Sequence, residues 1–163
     1  MKILGIDPAL STLGWGVIKL NSPKVIYLAS GVVKTAPSEL IHQRLFYITK
    51  KIEELILLYK PDFIAMEETF VNMNAVSSTK LSYVRGAIMA LVGKYEDIPY
   101  FEYKPNLIKK TVVGVGHAEK QQLAHMIKLI VSGVPALKNL DEVDALAVAY
   151  TCSVLKPRTA ILR

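Results

Sequence analysis

Four carboxylates in this sequence stand where the folded chain could bring them together. Asp7 closes the first apolar run, Glu67 closes a later one, and Asp141 and Asp144 lie three residues apart. A helix would project the last two from one face. Clustered carboxylates repel one another and typically persist when a cation neutralises them. We therefore interpret the four acids as a catalytic site that holds divalent metal ions.

The ligand type predicts both the metal and the reaction. Sites built from oxygen ligands alone select Mg²⁺ or Mn²⁺. Two such ions about 4 Å apart can activate a water molecule and stabilise the leaving oxygen during attack on a phosphodiester. We expect Mg²⁺ as the cofactor, Mn²⁺ as a substitute, two ions in each site during cleavage, and a nucleic-acid backbone as the substrate.

The two acids at strand ends each leave an alternative open. Asp7 could simply begin the turn at Pro8, a common role for aspartate. Glu68 competes with Glu67, because adjacent residues of a strand face opposite sides of the sheet and only one of them can join Asp7. Alternation alone does not choose between these two glutamates.

The acids near residue 141 also have a structural alternative. Asn139 with Glu142, or Asp141 with Asp144, would make a helix-capping arrangement that needs no metal. Against this, the residues that follow Asp144 are almost wholly apolar, which indicates a helix buried on most sides. Such a helix would hold its acidic first turn against the edge of the sheet.

The elements that position these acids follow from apolar periodicity and from the Gly, Pro and Ser that interrupt it. Strands are predicted at 2–7, 15–20, 24–33, 62–66 and 98–103, and helices at 37–60, 78–92, 106–113, 118–131 and 140–155. Ser77 or Ser78 is expected to cap the second helix. This order predicts an α/β fold, a mixed five-stranded sheet with helices on both faces, in one domain of residues 1–163. If the first and fourth strands are parallel neighbours, their acids emerge at the edge where ligands usually bind.

Charge and composition are consistent with a nucleic-acid partner. The chain of 163 residues has a net charge of +6, and residues 102–138 hold six lysines against two glutamates. The single cysteine, Cys152, excludes an internal disulfide, and we expect it to be buried. We find neither a secretory signal nor an apolar run long enough to span a bilayer, so we expect a soluble cytoplasmic protein with no membrane partner.

Two glycine pairs and one histidine give weaker signals. Gly14 and Gly16, and likewise Gly114 and Gly116, lack the pattern of a dinucleotide-binding loop, and we interpret both pairs as turns. His117, beside the second pair, could approach a phosphate. No cofactor other than metal is predicted.

Seven short motifs occur in order along the chain: Leu4-Gly-Ile-Asp-Pro8, Gly14-Trp-Gly-Val-Ile18, Met66-Glu67 with Phe70, Arg85-Gly86-Ala87, Lys110-Thr-Val-Val-Gly-Val-Gly116, Ala118-Glu-Lys120 and Asp141-Glu-Val-Asp-Ala-Leu-Ala147. Together they make the chain resemble the RuvC-type Holliday-junction resolvases along nearly its whole length. The resemblance implies a ribonuclease-H-like fold and makes Asp7, Glu67, Asp141 and Asp144 the catalytic, metal-binding acids. It thereby favours Glu67 over Glu68.

The resemblance also implies DNA-binding residues. Lys109 and Lys120 match family lysines that are implicated in DNA binding and cleavage, and we place the adjacent Lys110 with them. Phe70 matches an aromatic residue that stacks on a base where strands exchange, in keeping with aromatic platforms for unstacked bases. The chain departs from the family at Ala9 and Leu13, near the turn after the first strand.

The resemblance implies partners as well. It indicates a homodimer that nicks two opposed strands of a four-way DNA junction in homologous recombination and DNA repair, together with the RuvA and RuvB branch-migration proteins. The second helix, with Gly86, Ala87 and Ala90, could pack against the partner subunit, although a contact within one chain explains these residues equally well. The alternative functions are a non-catalytic junction-binding protein and a ribonuclease-H-like nuclease with another substrate.

Overall fold

The computed structural model describes residues 1–68 and 75–155. Within these ranges the chain forms six strands, β1 (Lys2–Asp7), β2 (Thr12–Asn21), β3 (Lys24–Lys34), β4 (Phe63–Glu67), β5 (Tyr100–Tyr103) and β6 (Val131–Ser132). The helices are α1 (Ile41–Tyr59), α2 (Ala75–Val92), α3 (Pro105–Val113), α4 (Lys120–Ile130) and α5 (Leu140–Leu155). No helix in these ranges has both the length and the apolar character needed to cross a bilayer.

The strands form one mixed sheet in the order β5-β4-β1-β2-β3-β6. The first three strands make an antiparallel meander, and β1 pairs in parallel with β4, which was the condition for Asp7 and Glu67 to share an edge of the sheet. Ile6 lies opposite Met66 in that pairing, so Asp7 and Glu67 follow at the same edge of the sheet. The α/β fold is confirmed, with one strand more than the five predicted. β6 has only two residues, too few to show an alternating pattern.

Helices cover both faces of the sheet, as predicted. On one face α1 and α2 bury a core that contains Ile48, Ile52 and Val84. On the other face α3, α4 and α5 bury a second core around Leu146 and the expected Cys152. Each fully buried aliphatic side chain contributes about 1.5–3 kcal/mol, so the two cores fix the sheet between its helical layers.

Helix α5 packs closely against the sheet because three strand residues opposite it are glycines. A Cβ atom added to Gly5 or Gly14 would overlap a backbone oxygen of α5, and one added to Gly16 would lie 2.7 Å from Leu146 Cδ2. Gly14 and Gly16 therefore lie inside β2, and their interpretation as a turn was wrong. Their physical role is to admit the helix whose first turn carries Asp141 and Asp144.

The start of α2 also differs from the prediction. The helix begins at Ala75, so Ser77 and Ser78 lie inside it and neither can be its N-cap. Serine has an intermediate helix propensity and is tolerated inside a helix, so its presence does not by itself mark where the helix begins. The second glycine pair behaves as predicted, because Gly114 ends α3 with a φ of 93°.

The close approach of α5 predicts a large effect from one methyl group. Gly14→Ala should lower the free energy of unfolding by about 1–3 kcal/mol, because its Cβ would push on the backbone of Asp141. Urea denaturation measures this change. The matched control is Gly116→Ala, where a Cβ lies 3.6 Å from the carbonyl oxygen of Asn106, an ordinary contact, so the free energy of unfolding should change by less than about 0.5 kcal/mol. Unchanged stability of Gly14→Ala would show that the glycine is not needed for the packing of α5.

Candidate active site

The ends of β1 and β4 bring two acids onto one face of the sheet. Asp7 continues the alternation of Ile3 and Gly5, which face α5, and Glu67 continues that of Ala65 in the neighbouring strand. The charge of Glu67 accordingly raises the pKa of Asp7. The structure thus places Glu67 beside Asp7.

The rival glutamate turns to the other face of the sheet. The pKa of Arg85 in α2 is raised chiefly by its hydrogen bond to Glu102, with a smaller contribution from the charge of Glu68. The Glu68 backbone N–H donates to the carbonyl oxygen of Tyr103 at 2.9 Å. Neither interaction involves Asp7. Because adjacent strand residues face opposite sides of the sheet, Glu67 and Glu68 lie on different faces in the structure.

The first turn of α5 supplies the other two acids. Asn139 Oδ1 accepts a hydrogen bond from the backbone N–H of Asp141 at 3.0 Å, so this asparagine caps the helix and Asp141 is not needed as the cap. Glu142 does not complete a capping box, because its carboxylate accepts a hydrogen bond from Ser30 instead. The capping alternative thus holds for Asn139 alone.

Three of the predicted acids converge closely. Carboxylate oxygens of Asp7, Asp141 and Asp144 lie within 4.8 Å of one another, a spacing at which one cation can contact all three. Glu67 lies outside this group of three but interacts electrostatically with Asp7 and Asp144. The four acids therefore form one cluster drawn from two strand ends and one helix.

Burial and mutual repulsion perturb the cluster. The pKa of Asp7 is raised to about 8, first by burial and then by the charges of Glu67, Asp144 and Asp141, while Lys120 lowers it. The pKa of Glu67 is raised to about 7 by burial and by Asp144. Burial also raises the pKa of Asp144. At neutral pH, without a cation, the cluster retains protons that free carboxyls would have lost.

Two of the three predicted lysines face the acids. Lys120, the first residue of α4, places its Nζ 3.2 Å from Asp144 Oδ2 and keeps 62% of its side chain exposed. Burial raises the pKa values of Glu67 and Asp144, and the charge of Lys109 in α3 offsets part of that increase. Lys110 is exposed on α3 and forms no ion pair with another described residue. The cationic side of the cluster thus lies at the solvent boundary.

Two further residues were predicted from the sequence to contact phosphate or DNA. His117 is exposed in the connection between α3 and α4. Phe70, the predicted base-stacking aromatic, lies outside the described residues.

An ion pair on the other face of the sheet was not predicted from the sequence. Arg85 Nε donates to Glu102 Oε1 at 2.7 Å, Tyr100 donates to the same oxygen at 2.8 Å, and the Glu102 side chain is only 3% exposed. The pair joins α2 to β5, the strand next to β4. The motif around Arg85 was visible in the sequence, but no pattern there identified Glu102 as its partner.

The fold and the site together define a class of protein. The sheet is mixed and covered by helices on both faces, and the acids lie at the ends of two neighbouring parallel strands and on a close-packed helix. This is the architecture of a ribonuclease-H-like nuclease.

Comparison with known proteins gives the family. The model of the family described as "Crossover junction endodeoxyribonuclease RuvC" matches residues 3–152. A protein of that name from Rickettsia bellii (strain RML369-C) is 58% identical over 156 residues, covering 96% of this chain and 99% of that protein. The Thermus thermophilus RuvC structure has a TM-score of 0.83 at 29% identity and covers 96% of each chain. T. thermophilus RuvC in complex with Holliday junction substrate has a TM-score of 0.86 at 30% identity, covering 94% of this chain and 93% of that one.

This chain belongs to the RuvC family of crossover junction endodeoxyribonucleases. The predicted family, the fold and the enzymatic function are confirmed, and the family is dependent on divalent metal ions.

Proposed function

We propose that this chain resolves four-way DNA junctions with a metal site formed by Asp7, Glu67, Asp141 and Asp144. The main support for the assignment is that carboxylate oxygens of Asp7, Asp141 and Asp144 lie within 4.8 Å of one another. Glu67 interacts electrostatically with this group through Asp144. Grouping carboxylates in this way costs free energy, so it is expected where a cation compensates their negative charge.

The residues fit a hard divalent cation. All four side chains offer oxygen ligands, the set that suits Mg²⁺ and Mn²⁺, and the described residues around the cluster add no thiolate or imidazole ligand. We propose Mg²⁺ as the physiological ion, Mn²⁺ as a substitute, and two ions in each site during cleavage. When bound, the ions supply a water of lowered pKa and neutralise charge on the scissile phosphate.

The chain's own groups would hold the DNA at this site. Lys120 and Lys109 stand beside the acids on the solvent side, where they can bind phosphate oxygens and fix the position of the scissile bond. We propose Lys110 and Phe70 as further DNA contacts. The substrate assignment is supported by the T. thermophilus RuvC complex with Holliday junction substrate, to which this chain is 30% identical.

The proposed mechanism predicts different results for two adjacent glutamates. Glu67→Gln and Asp7→Asn should each reduce junction cleavage in Mg²⁺ by at least about 100-fold while junction binding stays within about threefold, because the acids serve chemistry and the cations serve binding. Glu68→Gln is the matched control for Glu67, since it faces Arg85, and should retain cleavage. Single-turnover cleavage and gel-shift titration of one synthetic junction measure both quantities.

The outcomes separate the alternatives. Normal cleavage by Asp7→Asn would refute the metal-site assignment. Tight junction binding with no cleavage by the wild-type chain in Mg²⁺ or Mn²⁺ would favour the non-catalytic binding protein. Faster cleavage of linear duplex or RNA–DNA hybrid than of the junction would favour a related nuclease with another substrate.

We propose that the chain acts as a single nuclease domain and as a homodimer through the face of α1 and α2. Gly86 and Ala90 are exposed on α2, so a contact within the described chain does not cover them. Phe46 in α1 is 70% exposed beside a groove of about 490 Å³ that Ala87 and Ala90 help to line. Two-fold symmetry would present two sites to opposed strands of one junction. Action in the cytoplasm and cooperation with RuvA and RuvB are proposed from the family resemblance alone.

The dimer proposal predicts that a charge at this face dissociates the protein. Ala90→Arg should reduce the mass in analytical ultracentrifugation from twice the 18.1 kDa of one chain to a single chain, because a buried unpaired guanidinium opposes association. Leu129→Arg is the control, since Leu129 is 65% exposed on α4 at the opposite face of the sheet. A wild-type chain that stays monomeric at micromolar concentration, or an Ala90→Arg variant that stays dimeric, would contradict the assignment.

A further inference from the structure

The first turn of α5 carries a third acid that does not join the cluster. Glu142 lies between Asp141 and Asp144, and successive helical residues are about 100° apart, so it projects from a different side of the helix. Its Oε2 accepts a hydrogen bond of 2.6 Å from the hydroxyl of Ser30 in β3. Ser30 Oγ in turn lies 3.1 Å from the hydroxyl of Tyr27. A carboxylate of the helix is thus tied to a strand 112 residues earlier in the chain.

The hydrogen bond from Ser30 to Glu142 adds a restraint to the packing of α5. Gly5, Gly14 and Gly16 set how closely the helix approaches the sheet, and its buried side chains limit its rotation about its own axis to small angles. Carboxylate oxygens lie about 5 Å from the axis, so a rotation of 10° moves them by roughly 0.9 Å. Catalytic groups must be held to about 0.5 Å. A contact on the side of the helix away from the acids can supply this restraint.

We propose that Glu142 is a positioning residue, which through Ser30 sets the rotation of α5 so that Asp141 and Asp144 meet Asp7. The inference rests on the proposed metal site. The shared Ser30 hydroxyl donates to Glu142, and Tyr27 completes the chain by donating to Ser30. A displacement of about 1 Å at a catalytic group, caused by a change away from it, can lower the rate by about 100-fold.

The competing explanation is a purely local one. An acid in the first turn stabilises a helix through its dipole whatever it contacts, and its loss then lowers thermal stability without moving the other acids. Ser30→Ala separates the two explanations, because it removes the donor and leaves every charge in place. Glu142→Gln is the conservative variant, because its amide oxygen can still accept from Ser30.

The experiment measures Mn²⁺ affinity by electron paramagnetic resonance and single-turnover junction cleavage as a function of junction concentration. Ser30→Ala and Glu142→Ala should each weaken Mn²⁺ binding about 10-fold and lower the maximal cleavage rate about 10-fold, with half-saturation by junction unchanged, because the acids would be displaced by a fraction of an ångström. Glu142→Gln should stay within about threefold of wild type. The double variant should be no worse than the poorer single variant, because both substitutions remove one shared interaction.

Controls make each outcome decisive. Glu96→Ala, an exposed acid in the connection between α2 and β5, should change neither quantity. Wild-type Mn²⁺ affinity in Ser30→Ala, or additive losses in the double variant, would overturn the positioning role while a loss in Asp7→Asn upholds the metal site. Unchanged Mn²⁺ affinity in Asp7→Asn would overturn the metal site and this inference together. If Glu142→Ala does not fold, Ser30→Ala carries the same expectation.

Discussion

Repulsion among half-buried carboxylates is the constraint on which the rest of this structure depends. Asp7 and Glu67 have pKa values raised to about 8 and about 7 because burial and neighbouring acids both oppose ionisation. A fold does not gather such groups by default, since isolated acids prefer water. The architecture therefore has to hold them together against their own charge until a cation compensates it.

The sheet and α5 together hold the four acids close to one another. Parallel pairing of β1 with β4 brings two acids to the same edge and the same face, while glycines in β1 and β2 let α5 lie close enough to add Asp141 and Asp144. Lys120 and Lys109 offset part of the negative charge from the solvent side. These lysines suit a substrate that is itself a polyanion, because phosphate can exchange for carboxylate as their partner. The acids and the two lysines thus form one electrostatic unit.

Much of this arrangement could be predicted from the sequence, and the rest depends on contacts that no local pattern encodes. Apolar periodicity predicted most strands and the helical layers, whereas the parallel pairing of β1 with β4 was a condition that the structure fulfils. The acids at strand ends and near residue 141 stood out by position, but each left a structural alternative open until the four were considered together. Alternation could not choose Glu67 over Glu68, because that choice depends on which face α5 covers. Gly14 and Gly16 were misinterpreted as a turn for the same reason, since their need for glycine comes from a helix more than a hundred residues later. The links from Ser30 to Glu142 and from Arg85 to Glu102 are also long-range.

The most direct test of the account is the number of protons released when the cluster binds a metal ion. Carboxylates must be deprotonated to bind metal, so raised pKa values mean that binding near neutral pH displaces protons. Calorimetric titration of Mn²⁺ at pH 7 in two buffers of different ionisation enthalpy should show release of about one proton per site. The release should fall toward zero by pH 9, above the pKa values of Asp7 and Glu67. Mn²⁺ binding at pH 7 without proton release, or equal binding by Asp7→Asn, would contradict the claim that these acids are held together for a cation.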